Sequence, residues 1–324
     1  MTARGTNVKG PNRGAVPFLM SRPHHSAPST FSIVAFDRAN GDLGVAVESK
    51  FPAVGVIVPW AEAKIGAIAT QAMINVSYGP NGLRLLQDGL PADETLRRLV
   101  AGDPQREIRQ AAVVDRDGNV APHTGKECLE WKGHLLGDGY SCQGNILTSS
   151  KVLESIAEAY EETEGDLIDR LLAALTAGQA AGGDKRGQQS AAILVVRENG
   201  GYGGYSDRYL DLRVDDHSSP IEELKRVFRN YDMTMLSRED PRNLLTIDHD
   251  ITVTIQRELK KLGFYAGDMT GDLDAVTKKA LDDFIDTNNF EDRMRQEGKI
   301  WKSILEHMRE LANNSAGWRR QTES

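Results

Sequence analysis

The sequence predicts an α+β fold: two buried β-sheets stacked face to face, helix pairs on their outer surfaces, and a small all-α unit at the C-terminus. Three observations carry this. Strand and helix patterns come in groups, about four strands, two helices, several strands, two helices, then strands again, and such grouping argues against a doubly wound nucleotide fold. The strand segments are near-continuous apolar, β-branched runs, the pattern of sheets covered on both faces. From residue 237 the composition turns polar and charged, with Pro241, and beyond residue 250 the apolar spacing is helical.

A chain of 324 residues is long enough for two domains and a substantial core. The net charge of −8 argues against a nucleic-acid backbone or an anionic membrane as the main partner. Cys128 and Cys142 are too few and too isolated for a disulfide framework or a zinc site. His24, His25, His123, His134 and His217 show no metal spacing, so neither metal nor cofactor is expected. No run reaches the roughly 18 apolar residues that a membrane span needs. Residues 1–29 carry Arg4, Lys9, Arg13 and Arg22 among Pro, Gly and Ser, which reads as a disordered extension. Gly14 to Ser21 is too short, and too broken by Pro17, for a secretory signal, so a cytoplasmic location is expected. Met20 is a possible alternative start.

In chain order, residues 30–37 and 43–50 read as two buried strands flanking Asn40-Gly41, a strong hairpin signal. Val54 to Trp60 and Ile65 to Gln71 read as two more strands. Ser77 to Gly82 reads as a loop, with Asn81 capping a helix from Gly82 to Asp88. Pro91 to Ala101 is a helix with proline near its first turn and Gly102 past its end. Ile108 to Asp115 and Val120 to His123 form a hairpin around Asp117-Gly118. Gly137 to Leu147 is a glycine-rich strand, and Ser149 to Thr163 and Asp166 to Ala180 are amphipathic helices. A polar loop, 182–189, feeds a buried strand from Ala191 to Val196. Leu210 to Val214 is a further strand and Pro220 to Asn230 a helix.

The first hairpin holds the candidate chemistry. Thr30 opens one strand, while Glu48, Ser49 and Lys50 close the other. A hydroxyl, a carboxylate and an amine together are a nucleophile with its activators. The same residues also fit a strand-capping threonine beside a surface ion pair. Register separates these readings. A two-residue turn sets Thr30 opposite Phe51 and turns Glu48 away. A type I turn with a G1 bulge at Gly41 sets Thr30 opposite Lys50 and Ser32 opposite Glu48, all on one face, and this second register is the expectation.

Thr30-Phe-Ser-Ile-Val-Ala, Gly44 to Gly55, Gly66 to Gln71, Tyr78 to Gly82, Cys142 to Asn145 and Asp184 to Ser190 together resemble the bacterial family DUF1028. That family is placed among the N-terminal-nucleophile (Ntn) hydrolases, and the likeness covers about two thirds of the chain. It implies a four-layer αββα sandwich and a hydrolase cleaving a C–N bond in a small amide or peptide-like substrate. Thr30 would be the nucleophile and its α-amine, with an ordinary pKa of about 7.7–8.0, the base. Glu48, Ser49 and Lys50 stand where related folds carry an acid, a serine and a basic residue. The chain departs from the pattern because 29 residues precede Thr30, so cleavage after Ser29, or trimming of a short extension, is required. Lys64 falls in an expected turn and does not match the lysine of proteasome-like relatives.

Gln71, Asn75, Gln143, Asn145, Asp184, Arg186, Gln189 and Ser190 gather at strand ends and loops that would border the same cleft. They suit a carboxylated or amide substrate, since arginine grips carboxylates bidentately. Buried Gln and Asn, however, more often serve as satisfied structural bridges between sheets. The rest of the chain divides into a linker, 237–250, a helical domain, 251–312, and a tail, 313–324, after the main domain, 30–236. Within the helical domain Leu262-Gly-Phe-Tyr265, a Gly/Asp loop, and Thr277, Ala280, Leu281 and Phe284 resemble a peptidoglycan-binding-like module. That implies a possible glycan or peptide ligand, and the alternative of a non-catalytic binding protein. Asp268, Asp272 and Asp274 resemble a calcium loop but lack its glutamate. A core this small is marginal alone, so contact with the main domain or a homo-oligomer is expected.

Overall fold

The computed structural model describes residues 30–236, 238–293 and 296–322; the extension expected to be disordered lies outside the described residues. The chain begins with β1 (Thr30–Phe36), β2 (Leu43–Ser49), β3 (Pro59–Glu62) and β4 (Gly66–Ala72). Helices α1 (Tyr78–Gln87) and α2 (Ala92–Ala101) follow, then β5 (Arg109–Asp115), β6 (Val120–Thr124), β7 (Gly133–Gly137) and β8 (Tyr140–Asn145). Next come α3 (Lys151–Glu162), α4 (Leu167–Ala180), β9 (Ser190–Val196), β10 (Arg208–Val214) and α5 (Pro220–Tyr231). The C-terminal part contains β11 (Leu244–Thr246), α6 (His249–Leu262), α7 (Ala275–Thr287), β12 (Lys299–Trp301) and α8 (Lys302–Thr322).

Two antiparallel sheets form the body, one ordered β10-β9-β2-β1-β8-β7 and one ordered β3-β4-β5-β6. Alternation along each strand sends side chains to two faces, and both are buried. Val34, Val45, Val47 and Leu194 of the larger sheet meet Ala67, Ala69, Ala112 and Val114 of the smaller one. Phe31, Ile33, Ala46 and Ile193 point the other way, onto Ile156, Leu171 and Leu175 of α3 and α4 and Leu224 of α5. On the far side of the smaller sheet, Ile68, Ala111 and Val113 pack on Tyr78, Leu86, Leu96 and Leu99 of α1 and α2. This double coverage is what the continuous apolar runs require. The chain is thus α+β with antiparallel sheets, as its grouped elements predict.

Four local expectations are corrected. The first is register. Phe36 pairs with Leu43 and Thr30 with Ser49, so Glu48 lies opposite Phe31 and Ser32 opposite Val47. Asp37 is the cause: its carbonyl accepts from Gly41 N–H (2.8 Å), its carboxylate accepts from Ala39 N–H (3.0 Å), and its N–H donates to Asp42 (2.8 Å). The turn therefore takes in all of residues 37–42, with Gly41 left-handed at φ 80°. A slip of one residue from the expected pairing moves Glu48 to the face opposite Thr30.

Second, the strand expected over 54–60 is confined to its end: Val54–Val56 form a 3-10 turn, and the short β3 begins only at Pro59. Gly55 presses on Ala192, where an added Cβ would come within 2.5 Å, so the backbone tucks inward there. Third, α1 starts at Tyr78, four residues early, because Gly79 and Gly82 let its first turns lie against Trp60 and Ile68. Fourth, β7 was not foreseen; it pairs with β8 across Asp138-Gly139, with Gly139 at φ 74°.

The C-terminal part builds its own core from Ile255, Leu259, Leu281, Phe284, Ile300, Ile304 and Leu305. Helix α6 ends at the left-handed Gly263 (φ 88°), and Asp274 caps α7 through the Thr277 N–H at 2.8 Å. Gln256 occupies the middle of the Asp-rich loop, donating to Thr277 Oγ1 at 2.9 Å and accepting from Gly271 N–H at 3.0 Å. The stretch read as a linker carries β11, which pairs with β12. Arg238 joins the two parts, lying 2.7 Å from Asp166, 2.9 Å from Asp169 and 3.1 Å from Asp232. Arg293 adds a second tie, at 2.6 Å from Glu239 and 3.1 Å from the Met233 carbonyl.

Candidate functional site

Thr30 is the first residue of β1, one of the two middle strands of the larger sheet. Directly opposed residues share a face, and Thr30 opposes Asn145 on one side and Ser49 on the other, with Ser49 opposing Ser190. Asn145, Thr30, Ser49 and Ser190 therefore form one row across four strands, all buried and all aimed at the smaller sheet. Thr30 Oγ1 and Ser49 Oγ share a hydrogen bond of 3.0 Å. Ser190 Oγ donates to the Phe51 carbonyl and accepts from Val54 N–H at 3.1 Å.

A second polar row lies beside it. Gln143 Nε2 donates to Ser32 Oγ at 2.6 Å, and Ser32 donates to Gln71 Oε1 at 2.6 Å. Gln71 sits on the smaller sheet, opposite Gln110, which opposes Thr124. Gln110 Oε1 accepts from Gln71 Nε2 (2.8 Å) and Asn145 Nδ2 (3.0 Å). Its Nε2 reaches Thr124 Oγ1 (2.9 Å) and the carbonyls of Gly144 (2.9 Å) and Gly133 (3.0 Å). Where the two sheets meet at this end, a hydrogen-bonded seam replaces apolar packing. Buried amides are tolerated only when satisfied in this way. Sequence reasoning put Ser32 on the Thr30 face but missed Gln110, Thr124 and Ser141, whose hydroxyl donates to Gln143 Oε1 at 2.8 Å. Gln110 carried a usable signal, a glutamine leading directly into the Ala-Ala-Val-Val run of a strand that is buried on both faces.

Glu48 faces α4 instead. It is fully buried beside Phe31 and Ala191, and neither carboxylate oxygen has a hydrogen-bond partner among the described residues. Burial pushes its carboxyl well above the usual range, and nearby Asp184 pushes the same way; the Gln189 N–H, Arg186 and Lys50 oppose them. Lys50 is exposed and its Nζ donates to the Gln188 carbonyl at 3.1 Å. Thr30, Glu48 and Lys50 do not come together as one constellation.

Loop 182–189 straps across the head of β1. Asp184 bridges to Leu147 beyond β8, and its buried carboxylate accepts from Lys50 N–H beyond β2 at 2.9 Å. Lys185 N–H donates to the Ile146 carbonyl (3.0 Å) and Gln189 N–H to that of Ser49 (3.1 Å). β1 lies between those two strands, so Asp184 sits across the end from which Thr30 begins. Arg186 leans on Asp184 at 3.4 Å, and Gln189 Nε2 donates to Asp216 at 3.1 Å. Asn75 belongs to a separate cluster: its Nδ2 donates to Asp103 (2.9 Å), which also pairs with Arg109 (2.9 Å). Cys142 is a core filler whose thiol burial pushes up to about 12. Among the described residues no group of three or more His, Cys, Asp or Glu is placed to hold a metal ion.

The model of a "Family of unknown function (DUF1028)" matches residues 30–224. The chain belongs to the DUF1028 family. A second model, "Putative peptidoglycan binding domain", matches residues 234–308. Among solved structures, the chain is similar to protein SPO2555 from Silicibacter pomeroyi, itself described as a DUF1028 protein. The identity is 30%, the TM-score 0.58, and the match covers 63% of this chain and 89% of that one. No curated protein matches the sequence. Among the described residues, no helix is long and apolar enough to cross a membrane.

Proposed function

We propose that this DUF1028 chain is an N-terminal-nucleophile amide hydrolase in which Thr30, freed by cleavage after Ser29, attacks a C–N bond of a small substrate. The observation that carries this is Thr30 itself, a hydroxyl at the first residue of a middle strand, 3.0 Å from Ser49. Helices outside two stacked sheets support the four-layer αββα reading, with 30–236 as the catalytic domain, 237–250 as linker and 251–312 as the helical domain. In the proposed reaction the free α-amine takes the Thr30 hydroxyl proton as Oγ1 adds to the substrate carbonyl carbon. The same proton passes to the leaving amine as the C–N bond breaks, and water hydrolyses the resulting ester. Because Glu48 and Lys50 stand off the Thr30 face, the activators in this reading are the α-amine, Ser49 and the Asp184 carboxylate across the strand head. Asn145, held by Gln110, supplies an N–H for the developing oxyanion. Gln71, Gln143 and Ser190 hold the row in place, while Arg186 and Gln189 on the strap meet the substrate.

Intact-mass measurement of the purified protein, paired with turnover of a panel of small amides, tests this. A chain beginning at Thr30 that turns over an amide, with Thr30→Ala inert, is the expected result. A folded chain that keeps the preceding residues and hydrolyses nothing overturns it.

The second reading, a non-catalytic protein that binds a glycan or peptide, is favoured by the match to a peptidoglycan-binding model over 234–308. In either reading we take the protein to act in the cytoplasm as a homo-oligomer.

A further inference from the structure

Each of the two body sheets ends in two edge strands, β10 and β7 for the larger, β3 and β6 for the smaller. An edge offers its outward N–H and C=O groups to any strand that can pair with them, and charges, proline or a bulge are the common defences. β10 carries Arg208, Asp211 and Arg213, with a break in register between Arg208 and Leu210. β3 begins with Pro59 and ends with Glu62, and β6 has Pro122 at its centre. β7, as long as β6, reads Gly-His-Leu-Leu-Gly and has no proline, no Asp, Glu, Lys or Arg, and no break in its register with β8. Instead it presents leucines, Leu135 at 38% and Leu136 at 54% exposure.

Asp138-Gly139 is a two-residue turn, so the flanking Gly137 and Tyr140 exchange backbone hydrogen bonds and the ladder alternates from there. His134 and Leu136 therefore fall where N–H and C=O turn away from β8, and among the described residues no hydrogen bond reaches those groups. The sequence around them mirrors itself about Leu135: Lys132-Gly-His-Leu-Leu-Gly-Asp138, with a base at one end, an acid at the other and a glycine inside each. Such a strand is complementary to a second copy of itself run antiparallel. With a two-fold axis at Leu135, His134 of one chain exchanges both backbone hydrogen bonds with Leu136 of the other. The two Leu135 side chains then stand opposite each other in the closer class of pair, with Cα atoms about 4.5 Å apart. Lys132 falls opposite Asp138 at both ends. Asp138 is exposed and lies 2.9 Å from Arg38, and Lys132 lies 3.1 Å from the exposed Glu130, so each charge still faces solvent that a partner would replace. A slip of two residues either way leaves one outward pair unmatched and parts Lys132 from Asp138.

We propose that β7 pairs antiparallel with β7 of a second copy of this chain, joining two sheets of six strands into one across a two-fold axis at Leu135. The inference rests on the homo-oligomer taken above and names its interface. The test is analytical ultracentrifugation of the full chain over a concentration series, with Leu135→Lys and Leu135→Glu as variants. Like charges set directly opposite each other across the axis repel, and opposite charges attract. The parent is expected at twice the 35.6 kDa chain mass, each variant alone at the chain mass, and an equimolar mixture of the two variants again at twice. Recovery on mixing requires folded chains, so it separates a lost interface from a lost fold. Variants that each keep the parent's dimer overturn this surface and leave the homo-oligomer standing. Variants that stay monomeric when mixed overturn the two-fold register. A parent that stays at the chain mass throughout overturns both the surface and the homo-oligomer.

Discussion

Replacing Glu48 by Gln keeps the side chain's shape and removes its charge, which makes it the sharpest probe of the site. The folded-state pKa of Glu48 is raised, chiefly by burial, above that of the unfolded chain. Between those two values the folded protein binds the extra proton, so stability falls as pH rises through that window. The penalty is absent below the ordinary carboxylate value of about 4.3 and grows by about 1.4 kcal/mol per pH unit until the folded-state carboxyl ionises. For a domain of this size, that slope moves the melting temperature by roughly 3–6 °C per pH unit. The assay is thermal melting of both proteins from pH 4 upward, read as their difference so that other titrating groups cancel. Glu48→Gln is expected to match the parent at the acid end and to exceed it increasingly above pH 5. Parallel curves, or a variant less stable than the parent at neutral pH, would refute the reasoning, because they would mean that an ionised Glu48 is held by a cation.

Three further outcomes are expected. Gln110→Ala strips partners from Gln71, Asn145, Thr124 and two carbonyls, and should lower the urea-unfolding free energy by about 3 kcal/mol or more with an unchanged slope; a loss under about 1 kcal/mol would show the seam to be loose. Arg238→Ala leaves Asp166, Asp169 and Asp232 facing one another and should cost about 1–3 kcal/mol. Limited proteolysis should then cut faster near residue 240, and an unaltered cleavage rate would remove Arg238 from the interface. Gly79→Ala drives a methyl to 2.1 Å from Trp60 and should destabilise by about 1–3 kcal/mol in thermal melts, whereas a neutral outcome would mean that the ring simply moves aside.

The order of elements was legible because burial on both faces writes itself as continuous apolar runs, as in Leu43–Ser49 and Ser190–Val196. Helix ends were legible where a cap supplied them, as at Gly263 and Asp166. Register was not, because it turned on the local hydrogen bonds of one residue, Asp37 with Ala39, Gly41 and Asp42, that no pair preference encodes. That one step decided the candidate site, taking Glu48 from Thr30 and giving it Ser49. Gln71, Gln143 and Asn145 did gather beside Thr30, as their places at strand ends implied, whereas Asn75 went to Asp103. The strand from Gly133 to Gly137 escaped notice because its Leu135 and Leu136 are exposed and give no burial pattern.

The amide seam also bears on heredity. Ser32, Gln71, Gln110, Gln143 and Asn145 are linked to one another by hydrogen bonds. A lone replacement strands several neighbours at once, while the apolar rows of Val34, Val45 and Leu194 can trade methyl groups singly at small cost. Lineages descending from this chain should therefore keep the five polar positions as a block or exchange them as a block. Pairwise covariation ought to concentrate there, at the end of the sheets where Thr30 begins, and to fade along the rest of the same strands.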